Sequence, residues 1–135
     1  MKTLVIADGD LDGLGAYLVW TWFNGEPTEV IFSLPAALES TVKRIQENDL
    51  MSKYDEVWSL DLDISDHIST FDHAHANIVD HHDTHVEKVD EYQAARRFVT
   101  DCTSTTKLLY LILSKKYPNV NLKQEKKRFI GLVDD

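Results

Sequence analysis

Lys2-Thr3-Leu4-Val5-Ile6-Ala7 followed at once by Asp8-Gly9-Asp10-Leu11-Asp12-Gly13 pairs an unbroken apolar run with a dense acidic turn. The run has no polar alternation, which predicts a strand buried on both faces. Two further apolar runs end in the same way. Val57-Trp58-Ser59-Leu60 precedes Asp61, and Ala76-Asn77-Ile78-Val79 precedes Asp80-His81-His82. Helical patterns separate the runs, and strands alternating with helices imply crossovers and a parallel sheet covered on both faces. In such a sheet all strand C-termini share one edge, where ligands bind. Carboxylates and imidazoles gathered there are costly to bury together unless cations lie between them.

The pattern extends along the rest of the chain. Strands are predicted at 2–7, 29–34, 56–60, 77–80 and about 97–100. Helices are predicted at 14–23, 36–48, 65–71, 104–117 and 122–133, with Ser65 capping the third and Thr103 or Ser104 the fourth. The expected architecture is therefore an α/β domain, with a parallel sheet of about five strands and helices on both faces. Residues 83–103 carry little signal. Trp20, Trp22 and Trp58 fall inside predicted elements and read as core.

Residues 1–135 fit a single domain by length. With 43% hydrophobic residues, the chain can build a core. No stretch approaches the roughly 20 apolar residues of a membrane span. No signal peptide is visible, and the single Cys102 cannot form an internal disulfide, so a reducing, cytoplasmic setting is expected. The net charge of −9 is unevenly spread. Residues 1–95 hold 5 Lys+Arg against 19 Asp+Glu, whereas residues 96–135 hold 9 against 4. The acidic part contains the suspected metal ligands, and the basic part could face a phosphate backbone. The chain stops at Asp134-Asp135 directly after a helical run, which suggests either a piece of a longer protein or a short version of its type.

Asp8, Asp10 and Asp12 stand at alternate positions, which on an extended turn project to one side. Calcium sensing is disfavoured, because a glutamate would be needed at position twelve of the loop, which is Val19, and a strand precedes the turn. A carboxylate at Asp61 could bridge two cations. Histidine beside hard oxygen ligands suits manganese, zinc or iron. Adjacent side chains of an extended segment point oppositely, so His81 and His82 are read as one ligand and one contact to substrate phosphate, with Asp80 orienting a histidine. His67, His73, His75 and His85 are read as surface or structural, with His85 the strongest exception. Ser104 and Thr105, at a helix start, could meet a substrate phosphate. Cys102 reads as packing.

These motifs, with Gly131-Leu132-Val133-Asp134-Asp135 as a fourth, make the chain resemble the DHH phosphoesterases over essentially its whole length. The first motif is most similar to that of RecJ-type single-strand exonucleases. The resemblance implies that Asp10 and Asp12 serve separate ions and that Asp8 assists the first. Asp61 would bridge both, His81 and Asp135 would hold the second, and His82 would meet the scissile phosphate. The mixed aspartate and histidine ligands suggest manganese, as two ions, with magnesium as the alternative. Members usually carry a second, smaller domain with a glycine-rich motif near a histidine, and nothing in this sequence matches it.

The expected activity is two-metal phosphodiester hydrolysis on single-stranded nucleic acid or short oligonucleotides, with Asp61, His81 and His82 as catalytic residues. A small-nucleotide phosphatase, a cyclic-dinucleotide phosphodiesterase and a catalytically silent DHH binding module are the alternatives.

Overall fold

The computed structural model describes residues 1–135. Five strands, β1 (Thr3–Asp8), β2 (Glu29–Ser33), β3 (Glu56–Leu60), β4 (Ala76–Asp80) and β5 (Arg96–Val99), form one sheet in the order β2-β1-β3-β4-β5. Every neighbouring pair is parallel. Seven helices accompany them: α1 (Leu11–Asn24), α2 (Leu38–Glu47), α3 (Leu50–Lys53), α4 (Ile68–Phe71), α5 (Asp83–Glu87), α6 (Thr105–Lys116) and α7 (Gln124–Asp134). The sheet is covered on both faces, as expected. No helix is long and apolar enough to cross a membrane.

Strand periodicity divides the core. Leu4, Ile6, Val57 and Ile78 pack with Val42, Ile45, Met51 and Phe71 from the short helices on one face. Val5, Ala7, Trp58, Leu60 and Val79 pack with Ala16, Val19, Leu109 and Ile130 of α1, α6 and α7 on the other. Trp20 and Trp58 are buried and edge-on, and Trp22 packs half-buried on Phe129.

Several predicted boundaries move for local reasons. The first helix starts at Leu11 because the Asp10 side chain accepts the Gly13 N–H at 2.9 Å. Pro35 opens a 3-10 turn, so α2 begins only at Leu38. Ser65 caps nothing: α4 starts at Ile68, and the Ser65 N–H instead donates to Asp63 Oδ1 at 3.1 Å. Ser104 does cap α6, accepting the Lys107 N–H at 3.1 Å.

The unreadable stretch before β5 is tied down by one carboxylate. Asp72 accepts the N–H groups of Gln93, Ala94 and Ala95 at 2.9, 2.8 and 2.9 Å. Burial works to raise its pKa, but the three donors outweigh burial and hold the carboxyl below its ordinary 3.8. Asp72→Ala should cost about 1 kcal/mol at neutral pH, since only the Ala95 N–H is shielded from water and the other two donors can turn to solvent. A depressed carboxylate contributes stability above its ordinary pKa and loses it as pH falls through the folded value. The gap in urea midpoint between variant and wild type should therefore shrink below pH 3.8. A gap that stays constant into acid would contradict this role.

Candidate functional site

The register aligns the acids. Ala7 pairs with Leu60 and Leu60 with Val79, so Asp8, Asp61 and Asp80 follow side by side at the ends of the three central strands. The chain order reverses between β1 and β3, which is where open parallel sheets bind ligands. All three carboxylates are buried.

Asp61 breaks the strand's alternation. By parity with Val57 it should face α2, yet its φ of 63° is left-handed and turns the carboxylate toward α6. There Oδ1 accepts the Thr105 hydroxyl at 2.9 Å. A non-glycine residue in this region carries a cost of order 1–3 kcal/mol, and such residues concentrate at functional sites.

Asp12, in the first turn of α1, reaches the start of α6. Its Oδ2 accepts the Thr105 N–H and its Oδ1 the Thr106 N–H, both at 2.9 Å. The Thr106 hydroxyl adds a 2.8 Å bond to Oδ1. Close helix packing permits this: a Cβ on Gly15 would lie 2.6 Å from Thr106 Oγ1. The donors at Ser104 and Thr105, expected to meet a substrate phosphate, are engaged within the protein. The helix start does bind anions, but they are the protein's own. Asp12 and Asp61 take the Thr105 donors, and the Ser104 hydroxyl donates to Asp134 Oδ1 at 2.6 Å.

His81 completes the cluster. Its Nδ1 donates to the Cys102 carbonyl at 3.0 Å, so in the neutral ring Nε2 carries the lone pair. That nitrogen lies 3.2 Å from Asp12 Oδ2 and 3.3 Å from Asp61 Oδ1. Three acceptors around one point are mutually repulsive unless a proton or a cation sits among them. Burial, and then the Asp12 charge, push Asp61 up to about 9. Burial also raises Asp8. A second gathering of carboxylate oxygens, from Asp8, Asp10 and Asp61, lies within 4.8 Å and shares Asp61 with the first. Asp61 thus belongs to both gatherings, and carboxylate and imidazole donors of this kind suit divalent cations.

A cavity of about 470 Å³ opens over these groups. Asp10, Asp12, Asp61, His81 and His82 line it together with the start of α6 and the end of α7, where both Asp134 and Asp135 reach it. Asp134 is committed to the Ser104 and Thr103 hydroxyls, which hold its pKa down. Asp8 opens onto a separate, smaller cavity.

The expectation that His81 and His82 diverge is corrected. β4 has ended at Asp80, strict alternation lapses, and the two rings lie 5.1 Å apart facing one cavity. They differ in their partners. His82 Nδ1 donates to Asp80 Oδ1 at 2.6 Å, which leaves Nε2 for a ligand. Asp80 thus orients a histidine, as expected, and it holds a second one. His85 Nδ1 donates to Asp80 Oδ2 at 2.7 Å, and His85 Nε2 accepts from Tyr92 Oη at 2.7 Å. The hydrogen bond to Asp80 pushes His82 up to about 9 against the effect of burial. Burial alone would raise Asp80, but its two histidine donors outweigh it and hold the carboxyl well below the usual range. His85 is fully buried, while His67, His73 and His75 are not. Tyr92 escaped the sequence reading altogether, because a tyrosine in an unpatterned loop carries no local signal.

These charges make metal-free stability depend on pH. Asp61 takes up a proton on folding anywhere between its ordinary 3.8 and about 9, so stability falls as pH rises through that window. His82, raised from 6.5 to about 9, contributes stability below 6.5 that is lost as pH rises through 9. Both act in one direction. Without metal, the urea midpoint should drop from pH 6.5 to 9, and stabilisation by added Mn2+ should grow over the same range. A flat profile in chelator would refute the arrangement.

No family model matches the chain, and no curated protein matches it. Among solved structures, the fold is similar to that of an uncharacterized protein from Helicobacter pylori G27, with a TM-score of 0.65 and 18% identity. The match covers 97% of this chain and 40% of that one, so the chain spans about two-fifths of its length. At this identity the likeness bears on the fold alone.

Proposed function

We propose that this chain is a DHH-type phosphoesterase domain that uses two divalent cations to hydrolyse phosphodiester bonds in single-stranded nucleic acid or short oligonucleotides. The observation that carries the reading is His81 Nε2 with its proton fixed on the far nitrogen, facing Asp12 and Asp61 oxygens at 3.2 and 3.3 Å. Asp8 and Asp10 would hold one ion, Asp12, His81 and Asp135 the other, and Asp61 both. Bound Mn2+, or Mg2+ in its place, would activate water and neutralise charge on the phosphate. Asp80 fixes the His82 ring, whose free Nε2 can donate to a non-bridging phosphate oxygen, and the positive charge it keeps at neutral pH favours that contact. The start of α6 positions Asp12 and Asp61 through the Thr105 and Thr106 donors.

One observation favours the small-nucleotide reading over a long strand. No Lys or Arg lines the cavity, although Lys107, in the first turn of α6, is close enough for its charge to help hold the Asp134 pKa down. Lys115 and Lys116 lie in the last turn of α6, roughly 18 Å along the helix from the site. Lys123, Lys126 and Lys127 lie at the opposite end of α7 from Asp134, and Arg128 lies near its middle.

Turnover with Mn2+ on labelled single-stranded DNA, single-stranded RNA and dinucleotides, each at low and high salt, tests both readings. Long-strand hydrolysis that falls steeply with salt supports an exonuclease, because many phosphate contacts impose that dependence. Salt-insensitive cleavage of dinucleotides alone supports the second reading. Absence of turnover, together with no Mn2+ binding by calorimetry, would overturn both.

A further inference from the structure

Beside the metal-ligand cluster lies the smaller cavity, of about 190 Å³, lined by Asp8, Pro35, Leu38, Leu62, Asp63 and His82. It shares His82 with the larger cavity, so whatever occupies it touches the group that meets the phosphate. Leu62 is buried in the core, Leu38 packs against that core, and Pro35 stands in the 3-10 turn after β2. Asp63 is held at the rim by the Ser65 N–H and the Thr84 hydroxyl.

We propose that this cavity is a base-binding subsite: it receives the nucleobase of the nucleotide whose phosphate meets His82. The inference rests on the phosphodiesterase reading and narrows its substrate. Ordinary ligand pockets run from about 300 to 1,000 Å³, so this one admits a single planar ring system and little more. A second phosphate would sit between two carboxylates. A sugar could donate hydroxyls to Asp63 but would leave its other hydroxyls against Leu38 and Pro35. A base lays an apolar face on Leu38 and Pro35, over the buried Leu62, and turns an N–H edge to Asp63, whose carboxylate oxygens can each accept a further hydrogen bond.

The test compares kcat/KM, with Mn2+, for a dinucleotide phosphodiester and for the same compound made abasic at either position. Removing the base from one of the two positions should lower kcat/KM by about tenfold. In Leu38→Trp, which fills the cavity, the ratio of base-bearing to abasic rates should collapse toward one. Should that variant fail to fold by circular dichroism, Leu38→Ala removes one wall instead and should also lower the ratio. A wild-type ratio near one overturns the subsite and leaves the phosphodiesterase reading standing. A large ratio that survives in a folded Leu38 variant means the base is read elsewhere and also overturns it. If neither compound is hydrolysed, the phosphodiesterase reading falls and the subsite with it.

Discussion

Asp61→Asn should abolish Mn2+-dependent turnover while making the metal-free protein more stable. The carboxylate is 1% exposed, turned into a left-handed conformation, and set against Asp12 and the His81 lone pair. Folding without metal must therefore bury a repelled charge or take up a proton. With its NH2 in the Oδ1 position, the isosteric amide can donate to His81 Nε2 and to the Thr105 hydroxyl oxygen, which a carboxylate cannot do. Asparagine also tolerates positive φ well. The gain should be about 1–3 kcal/mol in chelator at pH 8. The same change removes the anionic group shared by both proposed ions, and the rate should drop at least about a thousandfold, no less than the loss of one well-placed oxyanion donor. Urea denaturation in chelator and turnover in Mn2+ measure the two halves. A variant that is less stable without metal, or that keeps its rate within tenfold, would remove Asp61 from the centre of the site.

Gly13→Ala should be the most damaging small substitution outside the ligands themselves. In a free helix this change is favourable by about 1 kcal/mol. Here the added Cβ would lie 1.9 Å from the Asp8 carbonyl oxygen and 2.7 Å from Asp8 Cβ. Backbone of a central strand cannot swing aside as a side chain can, so either α1 lifts or β1 bends. Overpacking of this severity costs about 3 kcal/mol or more, which outweighs the propensity gain. The displacement falls on the segment that carries Asp10 and Asp12, so Mn2+ affinity measured by calorimetry should fall along with stability. A variant as stable as wild type would show that α1 does not sit on β1 as described.

Much of this site can be read along the chain because its parts are local. A buried parallel strand is an apolar run, and the residue after the run is at the sheet edge. Asp8, Asp61 and Asp80 were therefore placed at strand ends by hydrophobic pattern alone, and Ser104 as a cap by its position before a helical period. The direction of Asp61 is a different matter. One left-handed residue reverses the side that alternation assigns, and nothing in Leu60-Asp61-Leu62 announces it. The helix start at Ser104 and Thr105 invited an anion, as its exposed donors should, yet whether that anion comes from a substrate or from Asp12 is decided 93 residues away. His85 and Tyr92 show the same limit. Their bond closes inside a stretch with no periodicity, and burial alone makes it matter.

By itself the amino-acid order determined the five strands, the longer helices between them, and which acids end the three central strands, because burial repeats over two or four residues and is a near-neighbour property; the short helices α3 and α5 left no such pattern. The order β2-β1-β3-β4-β5, the turn of Asp61 and the seating of Asp12 on α6 were settled only in three dimensions. Those features depend on which apolar faces find each other across long stretches of chain, and short-range patterning carries no record of that choice.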